Sequence, residues 1–327
     1  MAEQTLLEWL RSRMQVDCDT LDAEGVNVTQ AIAYFELAKP VHASLVNESA
    51  ADALRLKSEY QDVSFEELAV QIAMVKLSLK IVPHLTGHAH IQTNPMNSYS
   101  TEKTVKDAQR IVSIFKTLNP SFNSSRVCIK IPSTWEGLQA CKILEASGIH
   151  TLATTLFSMP QAALAAEVGC LYIAPYVNEL KVHFDTNYKD LNKALPLCIQ
   201  AQRYYKMHNL KTQVLPASLT HINEILSLAG VDHITISPPL LRELADTKLP
   251  ASEAAAKSLL DGVNKLPEEK VPLMSFVNDE AGFRTAYTRD NYGANEVKII
   301  QAINIFCDMQ IKTEMMVKQA AGDAGKV

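Results

Sequence analysis

A single lysine interrupts an apolar segment near the middle of the chain. In the run RVCIKIP, residues 126–132, strand-like alternation places Lys130 on one face with Cys128 and Pro132. The other face then carries the apolar residues Val127, Ile129 and Ile131. A lysine held among apolar groups is favoured as the neutral amine, which is the form that attacks a carbonyl carbon. The pattern indicates imine-forming catalysis, or else a lysine that neutralises a carboxylate or extends its stem to a rim.

Short apolar runs rich in β-branched residues recur along the chain, separated by longer stretches of helical periodicity. Eight runs are predicted as strands: residues 14–18, 41–46, 85–93, 126–132, 150–157, 171–177, 212–219 and 233–238. Helical patterns between them include residues 65–79, 104–118, 134–147 and 159–169. Eightfold alternation of strand and helix predicts an α/β fold, a (β/α)8 TIM barrel.

The barrel prediction places Lys130 in the lumen, near the end of the barrel where active sites lie. Side chains on the inner face of a barrel strand point into the lumen, and active sites lie at the carboxyl ends of the strands, where Lys130 falls. Glycines after helical stretches, at Gly148, Gly169 and Gly230, are predicted to end those helices in a left-handed conformation.

The alternation stops after about residue 250. In the remaining segment we predict a helix at 252–264 and a long helix near 292–319. Both are expected to pack on the barrel, so residues 1–327 are predicted to form a single domain.

The composition favours a soluble globular protein, which we expect to be cytoplasmic. The chain has 327 residues and a formal net charge of -5, which gives no reason to expect nucleic-acid binding. We expect no membrane partner, because no apolar window of about 18 residues occurs and the initial MAEQTLLEWLRSRMQ reads as an amphipathic helix. The six cysteines have no paired CxxC spacing and are expected to stay reduced.

Two segments around Lys130 are similar to a known enzyme family. The sequences IKIPSTWEGLQACKILEASGIH and TTLFSMPQAALAAEVGCLYIAPYV resemble transaldolase, a class I aldolase-type (β/α)8 barrel, and further matches extend almost to both ends of the chain. The resemblance implies that Lys130 forms a Schiff base with the donor ketose, without a cofactor or a metal. It also implies that Asp17 moves a proton during carbon–carbon bond making and breaking, and that Thr154 positions the catalytic water. Transaldolases of this type are often dimers, so a homodimer is expected.

Other positions depart from the family pattern. The third-strand glutamate is replaced by Gln92, which cannot exchange a proton near neutral pH, and the second-strand asparagine aligns with His42. His42 is therefore a candidate acid or base, or it only hydrogen-bonds across the barrel. His88 and His90 share a strand face with Gln92, but these histidines lack a metal-ligand spacing and no metal site is predicted. The resemblance assigns the substrate-binding positions to Asn94, Leu152, Ala174, Tyr176, Glu179, Ser218 and Thr220.

Two of these changes remove the arginines that clamp the substrate phosphate in the family. Thr220 stands at one position, and Glu179 at the other reverses the sign of the charge. Our main hypothesis is a Schiff-base enzyme that makes or breaks a carbon–carbon bond on a non-phosphorylated carbonyl substrate, by aldol, retro-aldol or cyclising condensation chemistry, in specialised metabolism. The alternatives are a genuine transaldolase of the pentose phosphate pathway and a catalytically inactive binding or regulatory relative.

The remaining departures leave alternatives open. Leu152 and Ala174 make the lumen more apolar than a sugar site needs. Tyr176 either contacts the substrate or only packs. Glu179 pairs either with an amine on the substrate or with a neighbouring lysine such as Lys181.

Overall fold

The computed structural model describes residues 4–18, 27–28 and 30–324, and these contain eight strands. The strands are β1 Gln15–Cys18, β2 Asn27–Val28, β3 Ala89–Gln92, β4 Val127–Pro132, β5 His150–Leu156, β6 Tyr172–Pro175, β7 Gln213–Val214 and β8 His233–Ile236. β2 to β7 pair in sequence order and β1 pairs with β8, always in parallel. The Thr235 amide donates to the Pro216 carbonyl at 3.1 Å, which connects β8 to the end of β7. The predicted (β/α)8 barrel is confirmed.

One of the eight strand predictions is wrong. Residues 41–46 lie in a 3₁₀ turn, Pro40–His42, and in the first turn of helix α3, Ala43–Leu56. The apolar residues of α3 repeat at helical spacing, and Leu45 and Leu56 are both buried. Val41 precedes this helix and is 76% exposed. The second strand is β2, which is two residues long and therefore offers no alternation to recognise.

The helices cover the outside of the barrel. The described residues contain α1 Leu6–Arg11, α2 Gln30–Leu37, α3 Ala43–Leu56, α4 Phe65–Ile81, α5 Thr101–Leu118, α6 Trp135–Ala146, α7 Met159–Glu167, α8 Leu195–Met207, α9 Ile222–Ser227, α10 Pro238–Asp246, α11 Ala251–Ala256, α12 Glu280–Arg289 and α13 Ala294–Ala324. The four helical patterns quoted from the sequence correspond to α4, α5, α6 and α7 and are confirmed. Each of the four begins at a serine or threonine that accepts a hydrogen bond from the third helical amide. The glycines Gly148, Gly169 and Gly230 have φ values of 80°, 88° and 106°, as predicted.

The carboxyl-terminal helices lie against the barrel. α13 packs on α2, α3 and α4 and buries Phe306, which is 1% exposed. The first predicted helix of this segment is shorter than expected, since α11 ends at Ala256, and α12 was not predicted. Among the described residues, no helix combines the length and the apolar character needed to cross a membrane. All six cysteines carry free thiols.

A buried charge network fixes the segment that follows β3. Asp107 on α5 is fully buried and accepts hydrogen bonds from the Asn94 amide and from the Gln71 side chain. Arg110 contacts the same carboxylate at 3.2 Å and donates to the Gln71 side-chain oxygen at 2.8 Å. Burial, with the nearby Glu67 carboxylate, raises the pKa of Asp107 to about 7, although the Asn94 amide and Arg110 oppose the shift. The network therefore holds Asn94 just after β3, although burial disfavours the charged form of Asp107.

We predict that Asp107→Ala lowers the free energy of unfolding by about 3–5 kcal/mol, because it leaves the buried Arg110 without its buried carboxylate partner. Glu102→Ala is the matched control, since Glu102 lies on the same helix, is 78% exposed and pairs with Lys106. Its loss is expected to stay within about 1 kcal/mol. Urea denaturation followed by circular dichroism measures both, and equal losses would contradict the role given to Asp107.

Candidate active site

A cavity of about 330 Å³ opens at the carboxyl ends of the strands and reaches Lys130. Its polar lining residues are Lys130, Tyr176, His183, Ser218, Thr235 and Ser237, and the other lining residues are apolar. They come from β4, from β8, from the segments that follow β6 and β7, and from the helices α2 and α13. Among the lining residues that belong to the described part of the chain, Lys130 is the only Lys, Arg, Asp or Glu.

Lys130 lies in the lumen, as the strand alternation predicts. It is 1% exposed and is paired in register with Gln92 on β3 and with Leu152 on β5, which are 1% and 0% exposed. Ala174 on β6 is also fully buried. Lys130 is therefore buried between neutral side chains of the two neighbouring strands.

Thr154 and Tyr176 are connected at the carboxyl ends of β5 and β6. The Thr154 hydroxyl donates to the Tyr176 phenol oxygen at 3.4 Å, and the Thr154 carbonyl accepts from the Ser133 amide at 2.9 Å. The next residue, Thr155, has a φ of 51°, which is unfavourable for a β-branched side chain. Its own hydroxyl donates to the Thr154 carbonyl at 2.7 Å. Backbone strain held by several hydrogen bonds is typical of functional sites.

Asp17 contacts a cluster of histidine and tyrosine rings in the barrel. Its carboxylate lies 2.9 Å from the Nδ1 atom of His233, and the ring of His233 packs on Tyr172 at 5.1 Å between centroids. Tyr172 in turn contacts His88, through a 3.3 Å hydrogen bond, and the ring of His90 at 5.4 Å. The contact with His233 orients the Asp17 carboxylate. Asp17 does not line the cavity, and its neighbours His233 and Tyr172 are the first residues of β8 and β6, at the ends of the strands opposite the cavity.

Burial sets the charge state of this cluster. It lowers the pKa of His90 well below its ordinary value, and the positive charge of Lys130 adds to the effect. The pKa of His88 is lowered for the same main reason, and burial raises the pKa of Tyr172. His88, His90 and Tyr172 are therefore neutral near pH 7.

The prediction for His42 rested on the incorrect second strand. His42 ends the Pro40–His42 turn, and its Nε2 atom lies 3.0 Å from a carboxylate oxygen of Glu36, which also binds Lys39 at 2.6 Å. It does not line the cavity. His42 is not retained as the replacement for the missing glutamate, because a side chain at the start of an outer helix is not held on the lumen face of a strand.

Glu179 and Thr220 lie outside the cavity lining. Glu179 accepts from the Tyr188 phenol at 2.5 Å and from Gln301 at 3.0 Å, and its lysine partner is Lys298 on α13 at 3.7 Å. Lys181, the lysine that we considered from the sequence, pairs with Asp185 instead. Thr220 donates from its amide and its hydroxyl to Glu224. No arginine lines the cavity within the described part of the chain.

Two further assigned residues have local roles. The side-chain oxygen of Asn94 accepts from the Met96 amide at 3.0 Å and caps the 3₁₀ turn Pro95–Asn97. Ser218 lines the cavity, and its hydroxyl lies 2.9 Å from the Nε2 atom of His183. His183 was not predicted from the sequence. The signal available for it was its place in the segment after the sixth strand, at the end of the barrel where active sites are built.

The sequence is similar to a described protein family and to named enzymes. The family profile described as "Transaldolase/Fructose-6-phosphate aldolase" matches residues 20–280. A protein named "Transaldolase" from Cellvibrio japonicus is 30% identical over 96% of this chain and 98% of its own length. Proteins of the same name from Prochlorococcus marinus and Nostoc sp. are each 32% identical, over 80% and 89% of this chain and 80% and 91% of their own lengths.

We predict that His90 lowers the free energy of unfolding as the pH drops from 7.5 to 5.5, against the opposite contribution of Asp107, whose raised pKa stabilises the folded state on acidification. The unfolded chain binds a proton on His90 near its ordinary pKa of about 6.5, whereas the folded protein does so only at a much lower pH. His90 alone accounts for a loss of up to about 1.4 kcal/mol at pH 5.5.

Denaturant titrations of His90→Gln at both pH values test this. The variant is expected to lose less stability than the natural sequence on acidification. His221→Asn serves as the control, because His221 is exposed and asparagine keeps the helix cap that it provides. An unchanged pH dependence in His90→Gln would rule out the contribution of this residue.

Proposed function

This chain belongs to the transaldolase/fructose-6-phosphate aldolase family, and we propose that it is a lysine-dependent aldolase acting on a carbonyl substrate without a phosphate group. An aldolase or transferase activity follows from the family. The proposal that Lys130 forms the imine is supported by one observation above the others: its amine is 1% exposed and lies at a cavity where active sites of such barrels are built. Buried lysines are rare and are often functional.

In the proposed reaction the amine of Lys130 adds to the carbonyl carbon of the substrate. The carbonyl oxygen leaves as water, and an iminium ion remains. The iminium withdraws electrons, so that an adjacent carbon–carbon or carbon–hydrogen bond breaks and its electron pair forms an enamine, while a base accepts the proton. The enamine then attacks a second carbonyl or is reprotonated. Water adds to the resulting iminium and releases the product and the free amine. No cofactor takes part.

Neighbouring groups are assigned to the water and to the proton carrier. Thr154 and Tyr176 share a hydrogen bond, and Gln92 is paired in register with Lys130, so these three neutral groups are placed to hold the water that leaves and returns. Asp17, the proton carrier that the family resemblance implies, is held by His233 and does not line the cavity, so it has no direct contact with the space that the substrate would occupy.

The preference for an uncharged substrate rests on the cavity lining. A phosphate needs cations or several amide donors, and strong binding comes from bidentate arginine contacts. Within residues 4–18, 27–28 and 30–324, Lys130 is the only lysine or arginine that lines the cavity, and it is consumed in the imine. Glu179 and Thr220, which replace the two family arginines, are bonded to other protein groups.

A genuine transaldolase is the second candidate. It is favoured by the names of the relatives, which are all about 30% identical over most of the chain. In that case the substrates are sugar phosphates, and a different group has to bind the phosphate.

We predict that borohydride traps a reduced adduct on Lys130 when the protein is incubated with dihydroxyacetone or other small ketones, because the iminium is reducible. Intact mass and peptide mapping detect it. Lys298 is an internal control, since its side chain is only 6% exposed but lies outside the cavity lining. Lys130→Met should give no adduct while remaining folded, because methionine fills a similar apolar space. A folded protein that is never trapped would favour the inactive binding relative.

A second prediction concerns phosphate. Loss of two charge-assisted clamps costs about 3–6 kcal/mol, so kcat/KM for fructose 6-phosphate with erythrose 4-phosphate should lie about 100-fold or more below that of a transaldolase with both arginines. Thr220→Arg should raise the rate with the phosphorylated substrate by about tenfold. Thr220→Ala is the matched control and should not raise it. Rapid turnover by the natural sequence would establish the second candidate instead.

A further inference from the structure

The cavity contains a histidine–serine pair that the proposed chemistry does not use. The Nε2 atom of His183 lies 2.9 Å from the hydroxyl oxygen of Ser218, and both residues line the cavity together with Lys130. His183 ends the 3₁₀ helix Leu180–His183 after β6, and Ser218 follows β7. The pair therefore joins two neighbouring segments at the carboxyl end of the barrel.

The protein holds this pair in place at a cost in backbone strain. Ser218 has a φ of 59°, which is uncommon for a residue other than glycine. Its carbonyl accepts from the side chain of Asn178 at 2.8 Å and from the amide of Asn178 at 3.2 Å. Asn178 also donates to the buried Glu224 at 3.1 Å, and Glu224 is paired with Lys193. Fixed polar groups of this kind are suited to recognition, because little ordering is needed on binding.

The charge of the pair is suited to an uncharged ligand. Burial lowers the pKa of His183, although Glu224 opposes the shift, so that the imidazole is neutral near pH 7. A neutral imidazole and a hydroxyl can each donate and accept one hydrogen bond. They match an alcohol or a carbonyl oxygen and provide no positive charge for a phosphate.

Two exposed aromatic rings stand at the same cavity. Phe35 on α2 and Phe184, directly after His183, are 52% and 37% exposed and line the cavity. Their ring centroids are 6.2 Å apart with an interplanar angle of 32°. A flat apolar group that covers an exposed phenylalanine ring removes apolar surface from water, which stabilises the contact. Aromatic pairs prefer centroid distances of about 4.5–7 Å. The volume of about 330 Å³ lies at the lower end of the range for small-molecule sites.

We propose that His183, Ser218, Phe35 and Phe184 form a recognition site for a hydroxylated aldehyde or ketone that carries an aromatic or similarly flat apolar group. The hydroxyl binds to the histidine–serine pair, and the flat group packs against the two phenylalanines. The inference rests on the proposed function, because it assumes that the carbonyl of the same molecule reacts with Lys130.

Three ketones separate the two halves of this site. Benzyl hydroxymethyl ketone has both features, hydroxymethyl methyl ketone lacks the ring, and benzyl methyl ketone lacks the hydroxyl. The concentration that gives half-maximal borohydride trapping on Lys130 is measured for each by peptide mapping. We expect the first ketone to be trapped at a concentration about tenfold lower than either of the others.

Variants then assign each preference to its residues. Phe184→Ala and Phe35→Ala should abolish the advantage of the benzyl group, whereas Phe184→Leu should keep part of it. Ser218→Gly, which accepts the left-handed backbone conformation, and His183→Leu should abolish the advantage of the hydroxyl. Tyr292→Ala is the control, because this ring is fully exposed and does not line the cavity.

The outcomes are distinguishable. Equal trapping of the three ketones on Lys130, unchanged by the variants, would overturn the recognition site and leave the imine chemistry intact. Absence of trapping on Lys130 with these ketones and with dihydroxyacetone would overturn the proposed function, and the recognition site with it. Trapping that follows the expected order, but is unaffected by the variants, would overturn the assignment to these four residues.

Discussion

The side chain of Lys130 is kept out of bulk water by the strands and helices around it. An isolated ammonium ion in an apolar interior is costly, whereas a neutral amine is tolerated. All six residues of β4 are buried, and the register places neutral side chains, Gln92 and Leu152, on either side of the lysine. Burial also favours the neutral form of His183 in the cavity lining. A barrel of parallel strands provides this setting because its lumen is a packed core that opens only at the carboxyl ends.

The helices after the barrel contribute to the site as well as to its support. Phe306 of α13 lines the cavity, and Lys298 and Gln301 of the same helix hold Glu179 in the segment after β6. That segment carries His183 and Phe184. The position of the proposed recognition site therefore depends on the packing of α13 against α2, α3 and α4. A change in this packing is expected to alter substrate preference without touching the lysine.

Sequence patterns predicted the structure correctly where the residues of one strand or one helix determine it. The alternation in β4 placed Lys130 in the lumen, and the glycines after α6 and α7 marked the helix ends correctly. They failed where an element is too short or where a partner is distant along the chain. β2 has two residues, so the next apolar run was mistaken for it and His42 was misplaced with it. The pairing of Glu179 with Lys298 and that of His183 with Ser218 depend on how separate segments pack, which no local pattern encodes.

Because Phe306 lies on α13, the cavity is completed late in the synthesis of the chain. A chain is synthesised from its amino end, so all eight strands and Lys130 leave the ribosome before α13 does. Until α13 has docked, the cavity lacks the apolar wall that Phe306 provides. Completion of the cavity therefore depends on α13, the last long helix to be synthesised.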